Sequence, residues 1–187
     1  MDFIEKLPSS SGFDTILVIV NRLIKQAIFI PAHNTIMSMD LACLFVLHVF
    51  SKYGVPSHIT SNRGSEFVSN FFQSLGTTLD MWLHFTSGYY PESNGQTKCM
   101  NQTLEQYLYI YCNYQQDNWS ELLPLMKFAY NNALSTTTSV SPFFANKEYY
   151  PNITVYSEYD IAFSWAHDFT VDLNELQSTL KAEISVA

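Results

Sequence analysis

Apolar and polar positions change period several times along the chain, and each change marks an element. Asp14–Val20 (DTILVIV) is an apolar, β-branched run behind the Ser9–Gly12 turn, which predicts a buried strand. Gln26–Ile30 (QAIFI), closed by Pro31, predicts its hairpin partner, and Met1–Ile4 predicts the end of a preceding strand cut short at its start. Between Met39 and Tyr53, Leu41, Leu44, Phe45, His48 and Val49 recur at helical spacing until Gly54 and Pro56. His58–Thr60 predicts a short strand running into the polar turn Ser61-Asn62-Arg63-Gly64, Val68–Leu75 a short helix and Met81–Phe85 another strand.

The second half reads as helical. Ser93-Asn94-Gly95 offers caps for a helix to about Tyr114, with Met100, Leu104, Tyr107, Leu108 and Tyr111 on its buried face. Lys98, Asn101, Gln102 and Glu105 fall on its polar face, and Trp119–Asn131 predicts a further amphipathic helix. Phe169, Leu173, Leu176, Leu180 and Ile184 predict a last helix in the tail. Phe71, Phe72, Trp82, Tyr107, Tyr111, Trp119 and Phe128 sit at core spacing and are expected to pack rather than stack on bases. Strands alternating with helices predict an α/β fold, its sheet mixed because of the opening hairpin.

Composition narrows the class. With 187 residues, 47% of them apolar and 14% charged, the chain suits one folded domain with a short appendage rather than a disordered polymer. The net charge of -8 argues against a free-standing phosphate binder, because such proteins displace counterions with an excess of bases. That charge is uneven. Residues 148–187 hold seven acids and one base, whereas residues 1–147 hold ten acids and eight bases and are nearly neutral. Cys43, Cys99 and Cys112 lie far apart without metal-ligand or paired spacing, which predicts a reduced, intracellular setting. The opening residues lack a basic n-region, so no signal peptide is expected, and no apolar run is long enough to span a membrane.

Three places combine a strand end or a helix start with polar residues that a core does not need. They are Asp2, the turn Thr60–Phe67 (TSNRGSEF), and Tyr89–Asn101 (YYPESNGQTKCMN) opening a helix. With MDFIEKLP, Phe13–Arg22, FSKYGVPSHITSNRGSEF, FTSGYYPESNGQT, MNQTLEQYL, NWSELLPLMKFAYNNA and SPFFANKEYYP, the chain resembles the catalytic core of LTR-retrotransposon integrases, most closely the Ty3/gypsy class. The likeness runs from Met1 to about Pro151. It implies an RNase H-like fold with a mixed five-stranded sheet, its first strand truncated, flanked by helices. Residues 1–151 would form the core-like domain, and residues 152–187 an acidic connector with an amphipathic helix.

The resemblance also implies a chemistry. In the family, two Mg²⁺ or Mn²⁺ ions held by two Asp and one Glu drive DNA strand transfer by in-line phosphoryl displacement. Hard divalent cations require anionic oxygen ligands. Asp2 stands at the first aspartate position, Asn62 at the second and Lys98 at the glutamate, with the family's 35 residues retained between the last two. The ligands have changed without a shift of frame. Asn21 and Cys99 likewise replace the aspartate and arginine usual nearby.

Three carboxylates would carry -3, whereas Asp2, Asn62 and Lys98 sum to about zero. An ammonium has three donors and no acceptor. Two unit charges 4 Å apart interact by about 4 kcal/mol at an effective dielectric of 20, and a divalent ion facing Lys98 would meet roughly twice that in repulsion. Lys98 is expected to swing away or to pair with Asp2, leaving at most a weak metal contact at Asp2 and no productive metal. Glu66, Glu92 and Glu105 are the carboxylates nearest in sequence. Glu105 lies seven helical residues from Lys98, about 10 Å. The expectation is a retrotransposon-derived core without strand-transfer activity. The alternative is a domesticated, non-catalytic module that binds nucleic acid or protein.

By the same resemblance, Arg63, Tyr89, Asn94, Asn101 and Gln102 would approach DNA, and Arg22, Lys25, Lys52 and Lys98 could meet phosphates. Scattered solubilising charges are the other reading of these bases. A homodimer through core helices and a nuclear location are implied in the same way; a membrane partner is not.

Overall fold

The computed structural model describes residues 1–86 and 95–151. The expected elements at Tyr89–Asn94 and in the tail from residue 152 lie outside the described residues. Five strands form, in the places the apolar runs predict: β1 (Asp2–Ile4), β2 (Thr15–Val20), β3 (Ala27–Ala32), β4 (His58–Ser61) and β5 (Trp82–Phe85). β1 runs antiparallel to β2, with Asp2 opposite Val18 and Ile4 opposite Ile16, and β3 is the next neighbour of β2. The turn between β2 and β3 closes on Asn21 N–H donating to the Gln26 carbonyl at 2.8 Å. β4 and β5 pair in parallel, His58 opposite Trp82 and Ser61 opposite Phe85.

The strands do not make one continuous five-stranded ladder. They form a three-stranded sheet and a two-stranded one. β1 is only three residues long, and its link toward β4 is a single bond from the Met1 nitrogen to the Thr60 carbonyl, too little to count as a ladder. The mixed character holds all the same, because antiparallel and parallel pairs are both present.

Helix α1 (Ser38–Phe45) starts where the Asp40 carboxylate accepts from Met37 N–H at 3.3 Å. It continues through a π-helical turn, Val46–Phe50, into α2 (Ser51–Tyr53), which Gly54 ends at a positive φ. α3 (Ser65–Val68) and α4 (Asn70–Thr78) follow β4, and the Ser69 hydroxyl caps α4 by accepting from Phe72 N–H. α5 (Gly95–Tyr111) buries Thr97, Met100, Leu104, Tyr107 and Leu108, close to the face its spacing predicts. α6 (Trp119–Asn132) and α7 (Pro142–Lys147) complete the described chain.

The chain divides into two compact units. One comprises Met1–Val20 and Ile28–Glu121, the other Asn21–Ala27 and Leu122 onward. In the first, Leu17, Ile28, Ile30, Leu41, Phe45, Ile59, Phe67 and Phe72 share one apolar cluster. Trp119 is fully buried there, its indole N–H donating to the Pro8 carbonyl at 2.7 Å. In the second, Asn131 is buried and pairs its side-chain amide with both backbone groups of Ala27, while Phe143 packs on Phe128 and Tyr149.

Two aromatics expected in the core are on the surface instead. Trp82 is 73% exposed and Phe71 45%. β5 pairs only with β4, so alternate residues of β5 face outward, and Trp82 rests there on the His58 ring at 5.9 Å. Phe71 precedes the buried Phe72 on α4, so the pair cannot share one face.

Candidate functional site

The three positions singled out by spacing meet at one corner. β1 places Asp2 beside the end of β4, and the chain leaving β4 places Asn62 within reach of it. The Asn62 side-chain N–H donates to Asp2 Oδ1 at 2.8 Å, while its oxygen accepts from Gly64 N–H at 2.9 Å. A backbone N–H can only donate, so it holds the amide oxygen away from Asp2 and turns the NH₂ toward it. That Asx turn is a local consequence of Asn-Arg-Gly.

Asn101 joins the corner from α5, donating from its amide to Asp2 Oδ2 at 3.3 Å. Its own Oδ1 is buried with no hydrogen-bond partner. Phe3 N–H adds a third donor, to Asp2 Oδ1 at 3.1 Å. Asp2 itself is only 8% exposed. Lys98 stands one turn before Asn101 on α5, hence on the same side of the helix, and is exposed.

Burial pushes the Asp2 carboxyl above its ordinary value of 3.8, and the Phe3 N–H, the amino-terminal charge, Lys98 and Asn62 pull the other way. Because the folded-state pKa is raised, the folded protein keeps a proton where the unfolded chain has lost it. Stability tied to Asp2 is therefore full below about 3.8 and declines as pH rises through the higher folded value. Urea unfolding at stepped pH should show the parent losing stability relative to an Asp2→Asn variant as pH climbs out of that range. A gap independent of pH, or one moving the other way, contradicts this reading.

These residues do not fit a divalent cation. Asn62 has committed its oxygen to Gly64, Asn101 presents its NH₂ to Asp2, and Lys98 offers no lone pair. Among the described residues no three His, Cys, Asp or Glu side chains come together as a metal-holding group. Glu66 lies over the Gly64 turn, where a Cβ on Gly64 would collide with its carboxyl, and its Oε2 accepts from Ser65. Glu105 is exposed on α5, and Glu92 lies outside the described residues.

The predicted DNA-facing set is only partly brought together. Asn101 sits in the corner, Arg63 follows Asn62 and is exposed, and Gln102 is exposed on α5. Tyr89 and Asn94 lie outside the described residues. Lys52 is exposed near the end of α2; Arg22 and Lys25 belong to the other unit. The partnership of Asn101 with Asp2 was not legible from the polar face alone. Its only signal was the spacing of three from Lys98.

A β-sheet corner with this spacing of residues, closed by a long helix, defines the class: an integrase-like core. The solved structures similar to this chain agree. A simian T-cell lymphotropic virus intasome in complex with PP2A regulatory subunit B56 gamma is similar over 87% of this chain and 59% of that one (TM-score 0.63, 20% identity). The BIV integrase catalytic core domain is similar over 79% of this chain and 93% of that one (TM-score 0.57, 18% identity). The HTLV-2 integrase catalytic core domain in complex with magnesium is similar over 76% and 91% (TM-score 0.53, 17% identity). These likenesses establish the RNase H-like α/β fold.

Sequence comparison gives the particular lineage. The chain is 31% identical over 154 residues to the Tf2-3 and Tf2-4 transposon polyproteins of Schizosaccharomyces pombe, a match covering 82% of this chain. It is an integrase-like domain of LTR retrotransposons, and it spans 12% of the length of those polyproteins. No protein-family model matches the chain. No helix among the described residues is long and apolar enough to cross a membrane.

Proposed function

We propose that this chain is an integrase catalytic-core domain of the Ty3/gypsy class, derived from a DNA-integration enzyme and without strand-transfer activity of its own. The observation that carries the proposal is the Asn62 amide: its oxygen is held by Gly64 and its NH₂ faces Asp2, so the corner presents donors where a metal needs acceptors. Lys98 supports it, since an ammonium repels a divalent ion. The core-like domain would run from residue 1 to 151 and the acidic connector from 152 to 187, with DNA as the inherited partner and the nucleus as the inherited location.

Purified protein, given a processed donor end, target DNA and Mg²⁺ or Mn²⁺, is expected to yield no joined product. Joined product above a no-protein control would overturn the proposal.

A second reading, a non-catalytic module that binds a protein partner such as another copy, rests on a different observation. The helical run from α1 to α2 exposes Met39, Val46, Leu47, Phe50 and Tyr53. Large apolar groups gathered on one helix mark interaction surfaces more often than free ones. Sedimentation at rising protein concentration tests it, and a monomer throughout would count against self-association.

A further inference from the structure

We propose that the Asp2–Asn62–Asn101–Lys98 corner binds a phosphoryl oxyanion directly through the Lys98 ammonium, with no divalent cation between them. The inference rests on the reading above only in naming a nucleic-acid phosphodiester as one source of that oxyanion. Inorganic phosphate is the other.

The polarity of the corner carries it. Asp2 holds its negative charge inside a cage of three donors: Phe3 N–H at 3.1 Å and Asn62 at 2.8 Å on Oδ1, Asn101 at 3.3 Å on Oδ2. The acceptor atoms of both amides are withdrawn from solvent, the Asn62 oxygen onto Gly64 N–H and the Asn101 oxygen into a buried position. With Asp2 only 8% exposed, the charged groups that reach water here are cations: Lys98 on α5 and Arg63 beside Asn62. The one acid close to this turn, Glu66, is folded over Gly64 with Ser65 donating to it.

A cation approaching from solvent therefore meets an ammonium, whereas an oxyanion meets donors. An ammonium–phosphate contact is a charge-assisted hydrogen bond, shorter and stronger than a neutral one. Asp2 acts through Lys98 rather than on the ligand. Its enclosed charge steadies the ammonium at the mouth of the corner, and Asn62 and Asn101 position the carboxylate.

The test uses the full chain in EDTA. Fluorescence anisotropy follows a short labelled duplex over a salt series for the parent, Lys98→Met and Lys98→Arg, with circular dichroism confirming that each variant is folded. Lys98→Met is expected to weaken binding by about tenfold and to reduce the salt slope by about one, while Lys98→Arg stays near the parent. In a second arm, inorganic phosphate is titrated while the Lys98 side-chain NMR signal is followed.

A Lys98-dependent effect on duplex binding supports the site with a nucleic-acid source. A phosphate-induced shift at Lys98 without any duplex binding supports the site while removing DNA as its ligand. Duplex binding that ignores Lys98→Met, with no phosphate effect at Lys98, overturns the proposal. Binding that appears only with Mg²⁺ or Mn²⁺ overturns it as well. Absence of both duplex binding and a phosphate shift also overturns it, without touching the assignment of the domain.

Discussion

Asn62→Asp combined with Lys98→Glu is expected to melt below the parent in EDTA and to recover on addition of Mn²⁺ or Mg²⁺, while the parent's Tm does not respond to either ion. The double change brings three carboxylates to one corner, with Asp2 already only 8% exposed. Two like charges about 4 Å apart at an effective dielectric near 20 repel by about 4 kcal/mol before relaxation, which sets the scale of the loss. The Gly64 turn survives the change, because an aspartate oxygen can accept from Gly64 N–H as the Asn62 oxygen does at 2.9 Å.

Cation binding then stabilises the folded state by RT ln(1 + [L]/Kd), about 2.7 kcal/mol at a hundredfold excess over Kd. For a chain of this size that is a gain of roughly 5–10 °C in Tm. Lys98→Met is the control: it removes the repelling charge without supplying a ligand, so it should not gain the response. Thermal scans in EDTA and in metal read all three proteins. A double variant indifferent to both ions would show that the corner has lost the geometry as well as the ligands.

Asn131→Leu is expected to lower the urea midpoint sharply with little change in slope, a loss of about 2–5 kcal/mol. Asn131 is 4% exposed, and its side chain both accepts from Ala27 N–H and donates to the Ala27 carbonyl, each at 2.8 Å. The amide thus acts as a neighbouring strand would toward the first residue of β3. Leucine fits the volume but leaves two buried backbone groups unpaired, and such groups are rarely tolerated. Asn131→Asp keeps the acceptor for Ala27 N–H but faces the carbonyl with a second acceptor and buries a charge, so it should be at least as costly. A loss below about 1 kcal/mol in either variant would mean that water or a local shift replaces the lost bonds.

Much of the fold was legible because periodicity reports which face is buried. The runs Asp14–Val20 and Gln26–Ile30 became β2 and β3, and the helical spacing from Leu41 to Val49 became α1 with its continuation. The π-helical turn at Val46–Phe50 was not legible, since one widened turn leaves the apolar spacing almost unchanged. Trp82 and Phe71 were misplaced for a different reason. Burial of an aromatic depends on whether another layer covers its face, and the spacing along one element carries no record of that.

The site divides along the same line. Residue type and spacing alone put Asp2, Asn62 and Lys98 at the three ligand positions and showed that two of the three have lost their carboxylates. Those facts are set by the chain and would hold in any conformation. Only the tertiary structure decided where the remaining hydrogen bonds go: the Asn62 oxygen to Gly64, both amide NH₂ groups to Asp2, and Asn101 into the corner at all. The physical reason is that a hydrogen bond is directional and short. Which atom of an amide faces a carboxylate is settled when strand ends and a helix face, 60 and 99 residues apart in sequence, come within 3.5 Å of each other.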